Sequence, residues 1–166
     1  MSIAKKISLC ALLSTVAIIF GYIEFLFPIP MPIPAIKLGL GNIVILISLY
    51  CLSKKATWCV MLIKVVVTSL LFASPSVFIY SLLGGIFSLI FMQILKAFDF
   101  NIITVSIGGG IFHNLGQLLA AAVVLMSPSV FIYLPVLILS GGLAATITGI
   151  IAKIIVGRIK AFLEKN

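Results

Sequence analysis

Long apolar runs, broken about every 20 residues by a few polar or proline positions, dominate the chain. Crossing the hydrocarbon core takes about 20 helical residues at a rise of about 1.5 Å each. The runs predict six helices, at roughly 4–26, 38–53, 57–73, 77–97, 103–126 and 130–157. The second and third are short for a full crossing, which predicts tilt or partial embedding. The connections are short and no linker divides the chain, so residues 1–166 read as a single membrane domain.

Composition narrows the class. The chain is 63% hydrophobic and 8% charged, with a mean hydropathy of +1.42, where soluble domains carry about 25% charged residues. That excludes an ordinary soluble domain and predicts an all-α integral membrane protein, a six-helix transmembrane bundle. The start, Lys5 and Lys6 before an apolar run, has the outline of a signal peptide. No small-residue cleavage site follows at the expected distance, so the segment is expected to stay as the first helix. Cys10, Cys51 and Cys59 have no metal-type spacing and read as small buried apolar residues.

The formal charge of +8 is dispersed over segment ends, which fits lipid headgroups and topology and not nucleic acid. Lys5, Lys6, Lys54, Lys55, Lys96, Lys153, Arg158, Lys160 and Lys165 all fall on one side of a six-span arrangement. By the positive-inside rule that side is cytoplasmic and holds both termini. Only Lys37 is left for the outside. The sequence SPSVFIY occurs at Ser74–Tyr80 and again at Ser127–Tyr133, each time at an outer turn and each time followed by a diglycine. The repeat reads either as two similar turns or as a duplicated helical hairpin.

Polar residues within the spans are the candidate chemistry. Lys64 lies near the middle of the third span, where a charge costs about 2.5–3.5 kcal/mol on insertion scales and calls for an interior partner. In the fifth span, at about 100° per residue, Gly109, His113, Gly116, Gln117 and Ala120 share a face, with Asn114 at its edge. These side chains would serve either as interhelical fasteners or as a ligand pocket. A single histidine argues against bis-histidine haem, and no metal spacing occurs, so neither cofactor nor metal is expected. The first span has two stripes of small residues. Cys10, Ser14, Ala17 and Gly21, continued by Glu24, form the first; Ala4, Ser8, Ala11 and Thr15 form the second. One stripe can face the interior while the other offers a flat surface to a partner protein.

Between the first two spans runs GYIEFLFPIPMPIPAIKLGLGNIVILISLY, with Glu24, four of the seven prolines, Lys37 and Asn42. Prolines deny it regular helix and suit it to be a stiff outer cap over the bundle. Glu24 and Lys37, at the two ends of this cap, either pair with each other or contact a ligand.

The motifs GYIEFLFPIP…PAIKLGLGNIVILISLY and GGIFHNLGQLLAAAVV resemble the bacterial family named heptaprenyl diphosphate synthase component I, also called the Gx transporter family. The resemblance covers nearly the whole chain. That family is similar to the substrate-binding components of energy-coupling factor importers, six-helix proteins of the bacterial cell membrane that capture a nutrient. The resemblance implies partners as well, a transmembrane coupling protein and two ATPase subunits. It places ligand toward the outer half, under the loop Phe27–Ile36. It also implies docking through an A-x-x-x-A patch on the first helix. Here Ala11 pairs with Thr15 and Ala17 with Gly21, so no intact pair occurs.

Catalysis implied by the family's enzymatic name meets an obstacle. Prenyl chain elongation needs aspartate-rich motifs for magnesium and diphosphate, and Asp99 is the single aspartate. No G-x-x-x-x-G-K-[ST] occurs, so ATP energy must come from partners. The expectation is a non-enzymatic uptake subunit with Glu24, Lys37, Asn42, Lys64, His113, Asn114 and Gln117 around an anionic or zwitterionic, partly apolar ligand. Two other readings compete. One is an accessory subunit of isoprenoid-quinone synthesis or quinone-linked electron transfer. The other is an assembly factor whose polar residues only fasten helices.

Overall fold

A computed structural model describes residues 3–26, 39–72 and 74–165, with side chains through 162. Lys37 and the predicted cap, Phe27–Ile36, lie outside the described residues. Six α-helices follow one another: α1 (Ile3–Leu26), α2 (Leu40–Cys51), α3 (Lys54–Phe72), α4 (Pro75–Ala97), α5 (Ile102–Val124) and α6 (Leu134–Lys165). No strand occurs among the described residues. Five of the helices are long and apolar enough to cross a membrane, which makes the chain a multi-pass membrane protein.

The exception is α2. Its 12 residues rise about 18 Å, against about 30 Å of hydrocarbon. It is apolar on every side, and Ile43 through Leu49 are all buried. A helix hydrophobic all round belongs in a core, and α2 packs against α1, α3 and α6 at the bundle's centre. It is a half-span plug with its N-terminus inside the bundle.

Local chemistry sets the helix ends. The Asn101 side chain accepts from the backbone N–H of Thr104 at 2.9 Å and so caps α5. Asp99 and Met126, at φ 56 and 49, break the chain out of α4 and α5. α1 is held in the bundle by α2 and α3. Of the cysteines, Cys10 and Cys51 are half-buried, but Cys59 is exposed on the bundle's outer face, contrary to expectation.

The repeated heptapeptide does not build the same structure twice. Its first copy opens α4 as regular α-helix from Pro75. The second forms a 3-10 helix over Pro128–Tyr133, so α6 starts at Leu134 and not near 130. Pro135 explains the difference, because a continuous α-helix would drive its ring into the carbonyl of Phe131. The first copy continues into Ser81 and Leu82, which impose no such limit.

A glycine crossing draws α4 and α5 together. At Gly116 a Cβ would lie 2.7 Å from the Leu83 carbonyl oxygen and 3.0 Å from Gly84 Cα, so α4 and α5 touch backbone to backbone. At the far end of the bundle, Lys96 Nζ donates to the Leu49 carbonyl near the α2 C-terminus and sits 4.6 Å from the Tyr50 ring centroid. Lys54 and Lys160 lie within electrostatic reach of Lys96 there. The basic residues of three helices thus gather at one end.

Candidate functional site

The opposite, N-terminal end of α2 builds the site. Gly39 precedes it at φ 78, a left-handed conformation that glycine adopts without strain, and supplies no side-chain cap. The first N–H groups of α2 therefore need an acceptor from elsewhere. Glu24, in the last turn of α1, provides it: Oε1 accepts from Leu40 N at 2.6 Å. A carboxylate at the end of α1 is disfavoured by that helix's own dipole, an effect of about 0.3–1 kcal/mol. A hydrogen bond to a charged group is worth about 1.5–3 kcal/mol, and the α2 dipole adds to it, so the contact across helices wins. Glu24 is 7% exposed.

Lys64 comes from the middle of α3 and is 9% exposed. Its stem does not run out to the lipid surface. It lies against Gly41, where a Cβ would stand 2.5 Å from Cε and 2.7 Å from Nζ. A glycine in the first turn of α2 is what lets the ammonium approach that helix end. One turn after Lys64, Thr68 donates its hydroxyl to the Lys64 carbonyl at 2.8 Å and turns its methyl group to Gly21 of α1.

From α5 come His113 and Gln117, both buried and seated on Gly84 of α4, where a Cβ would meet Gln117 Cγ at 2.8 Å and His113 Cε1 at 3.0 Å. These groups surround a narrow cavity of about 10 Å3, the room of a single water. Its lining includes Glu24, Asn42, Lys64, Thr68, His113 and Gln117, with Gly21, Gly39, Val65 and Ser81. Asn42 Oδ1 is buried and has no hydrogen-bond partner among the described residues.

Five residues singled out from the sequence, Glu24, Asn42, Lys64, His113 and Gln117, therefore meet at one place. Asn114 does not join them. Its side-chain amide donates to the Leu137 carbonyl at 2.8 Å and fastens α5 to α6. Ser106, two turns earlier, does the same by donating to Ala145 O at 2.7 Å. One step along a helix is about 100°, enough to carry Asn114 from the His113 face to the neighbouring helix. Thr68 and Ser81 were not foreseen. Thr68 was within reach, since it follows Lys64 by four residues and so shares its face; nothing in the sequence marks Ser81.

The two stripes of α1 differ in burial. Ser14, Ala17, Gly21 and Glu24 are buried, with Cys10 half-buried, whereas Ala4, Ser8, Ala11 and Thr15 are all exposed. No group of three or more metal-ligating side chains occurs among the described residues.

A protein-family model described as heptaprenyl diphosphate synthase component I matches residues 13–155. The chain belongs to that family. The match takes in every residue of the cavity and all of α2 through α5, and it stops within α6. Neither a curated protein nor a solved structure matches the chain.

Proposed function

We propose that the chain is the substrate-binding subunit of an importer of the energy-coupling factor type in a bacterial cell membrane. It captures a small anionic or zwitterionic, partly apolar nutrient from outside. One observation carries the reading: buried Glu24, Lys64, His113 and Gln117, from three separate helices, converge on the N-terminus of the half-span helix α2. Buried ionisable groups at mid-membrane are expensive, and a broken or half-length helix aimed at them is the arrangement with which transporters hold charged substrates.

The geometry supports a division of labour. Lys64 and the α2 N-terminus supply positive potential, while His113, Gln117 and Asn42 supply orienting hydrogen bonds. A nutrient-sized ligand needs about 300 Å3 or more, so the cavity widens when ligand enters. With the basic end of the bundle placed inside by the positive-inside rule, both termini are cytoplasmic, six helices form the bundle and the cavity at the other end of α2 lies toward the outside. The exposed stripe Ala4, Ser8, Ala11 and Thr15 offers the surface for a coupling protein, whose ATPase subunits supply the energy. The chain performs no catalysis of its own, in keeping with its single aspartate.

Mild-detergent purification followed by native mass spectrometry tests this directly. The expected result is a small bound ligand, with coupling and ATPase subunits, and loss of the ligand on Lys64→Ala with the fold intact. The family's name favours a second reading, an accessory subunit of prenyl diphosphate or quinone metabolism. Co-purification of a prenyltransferase or redox partner in place of ATPases would select it.

A further inference from the structure

The acceptor position at the start of α2 is already taken. Leu40 N–H, the first donor of the helix, points at Glu24 Oε1 at 2.6 Å. Gly39 brings no side chain to compete. The Lys64 ammonium stands beside the next residue, Gly41, and the buried Oδ1 of Asn42 has no hydrogen-bond partner among the described residues. A helix N-terminus of about half a positive charge and a lysine thus share one small anion seat, in a cavity with room for a single water. Only one carboxylate fits there at a time, because a second would lie in a nearly dry site beside a like charge.

We propose that Glu24 is an internal stand-in for the ligand. The ligand carries a carboxylate or phosphate group that displaces Glu24 from Leu40 N–H and settles between the α2 N-terminus and Lys64. The displaced Glu24 side chain swings off the seat, and the helix end exchanges one anionic acceptor for another. This rests on reading the cavity as the ligand site and adds to it the class of the ligand's head group. The internal competitor weakens binding by the fraction of time that it holds the seat. It also keeps the α2 N-terminus satisfied while the site waits, so the empty site need not leave a buried donor without an acceptor.

The test uses purified full-length protein in mild detergent, titrated with acetate, inorganic phosphate and, as a cationic probe, methylammonium, each followed by calorimetry. Glu24→Gln keeps an oxygen for Leu40 N–H but removes the charge. It is expected to tighten acetate or phosphate binding by about tenfold or more, the worth of one charge-assisted hydrogen bond. Lys64→Met is expected to abolish anion binding. Should Glu24→Gln not fold, Glu24→Asp retains the charge with one methylene less reach and is expected to tighten the same anions. Unchanged or weaker anion binding in the Glu24 variant that folds overturns the proposal. So does methylammonium binding to the wild type that disappears in that variant. A native ligand that leaves on Lys64→Ala yet carries no anionic group would sink the stand-in while preserving the uptake reading.

Discussion

The Lys64 ammonium lies against the backbone of Gly41, so close that a Cβ at residue 41 would stand 2.7 Å from Nζ. This contact gives a half-span helix and a buried charge a shared address, and it makes a prediction independent of Lys64 itself. In Gly41→Ala the flexible lysine end must move. Displacement costs about 1–3 kcal/mol, and alanine's helix preference returns about 1 kcal/mol. The variant is expected to melt within roughly 2 kcal/mol of wild type yet to lose ligand in native mass spectra as Lys64→Ala does. Full retention of ligand would separate the Lys64 position from binding.

The α4–α5 crossing gives a harsher outcome. A methyl group at Gly116 would meet the Leu83 carbonyl and Gly84 Cα, which are backbone and cannot swing aside. Gly116→Ala is expected to cost about 1–3 kcal/mol. At Gly142 of α6 the same methyl group meets nothing within 4 Å, so Gly142→Ala is expected to be neutral or stabilising by up to about 1 kcal/mol. Thermal melts in one detergent compare the two; equal effects would remove close backbone approach as the reason for Gly116.

These contrasts show where sequence reading reached and where it stopped. Apolar runs located the first five helices to within a few residues, because lipid demands long uninterrupted apolar segments, but α6 continues to Lys165, well past its expected end at 157. The face of α5 holding Gly109, His113, Gly116, Gln117 and Ala120 was legible, and all five residues are buried, since 100° periodicity is intrinsic to one helix. What lay between helices was not. The bond from Leu40 to Glu24 spans 16 residues and follows from Gly39 starting α2 without a side-chain cap. The break before Leu134 depends on Pro135 acting back on an otherwise identical heptapeptide. Asn114 and His113 are neighbours in sequence, but packing against α6 sends one to Leu137 and leaves the other in the cavity.

The C-terminal end of α2 should respond separately from the N-terminal one. Lys96 Nζ caps the Leu49 carbonyl and lies over the Tyr50 ring, so Lys96→Met removes a charge-assisted hydrogen bond and a cation–π contact while keeping much of the stem. A loss of about 1–3 kcal/mol is expected, reduced somewhat by relief of repulsion from Lys54 and Lys160. Ligand retention at the cavity should be unchanged in protein that stays folded. A variant as stable as wild type would show that α2 is anchored by its apolar packing alone.

The division of α5 into a binding face and a fastening face is tested by a pair of substitutions. Asn114→Leu keeps the branched outline of the side chain but deletes the 2.8 Å bond to Leu137 O. That carbonyl lies inside α6 and retains its helical partner, so no acceptor is stranded. Interhelical hydrogen bonds of this kind average about 0.6 kcal/mol and reach about 1.7, and the variant should melt lower by that amount with ligand retained. Gln117→Leu acts in reverse. Its side chain sits on Gly84 at the cavity, and leucine's extra branch can be accommodated only by spending cavity space. Ligand retention should fall about fivefold or more, the worth of one hydrogen bond near 1 kcal/mol, with a smaller change in melting. If Asn114→Leu releases ligand while Gln117→Leu holds it, the two faces have been assigned the wrong way round, and the cavity at the α2 N-terminus is not where this protein holds its cargo.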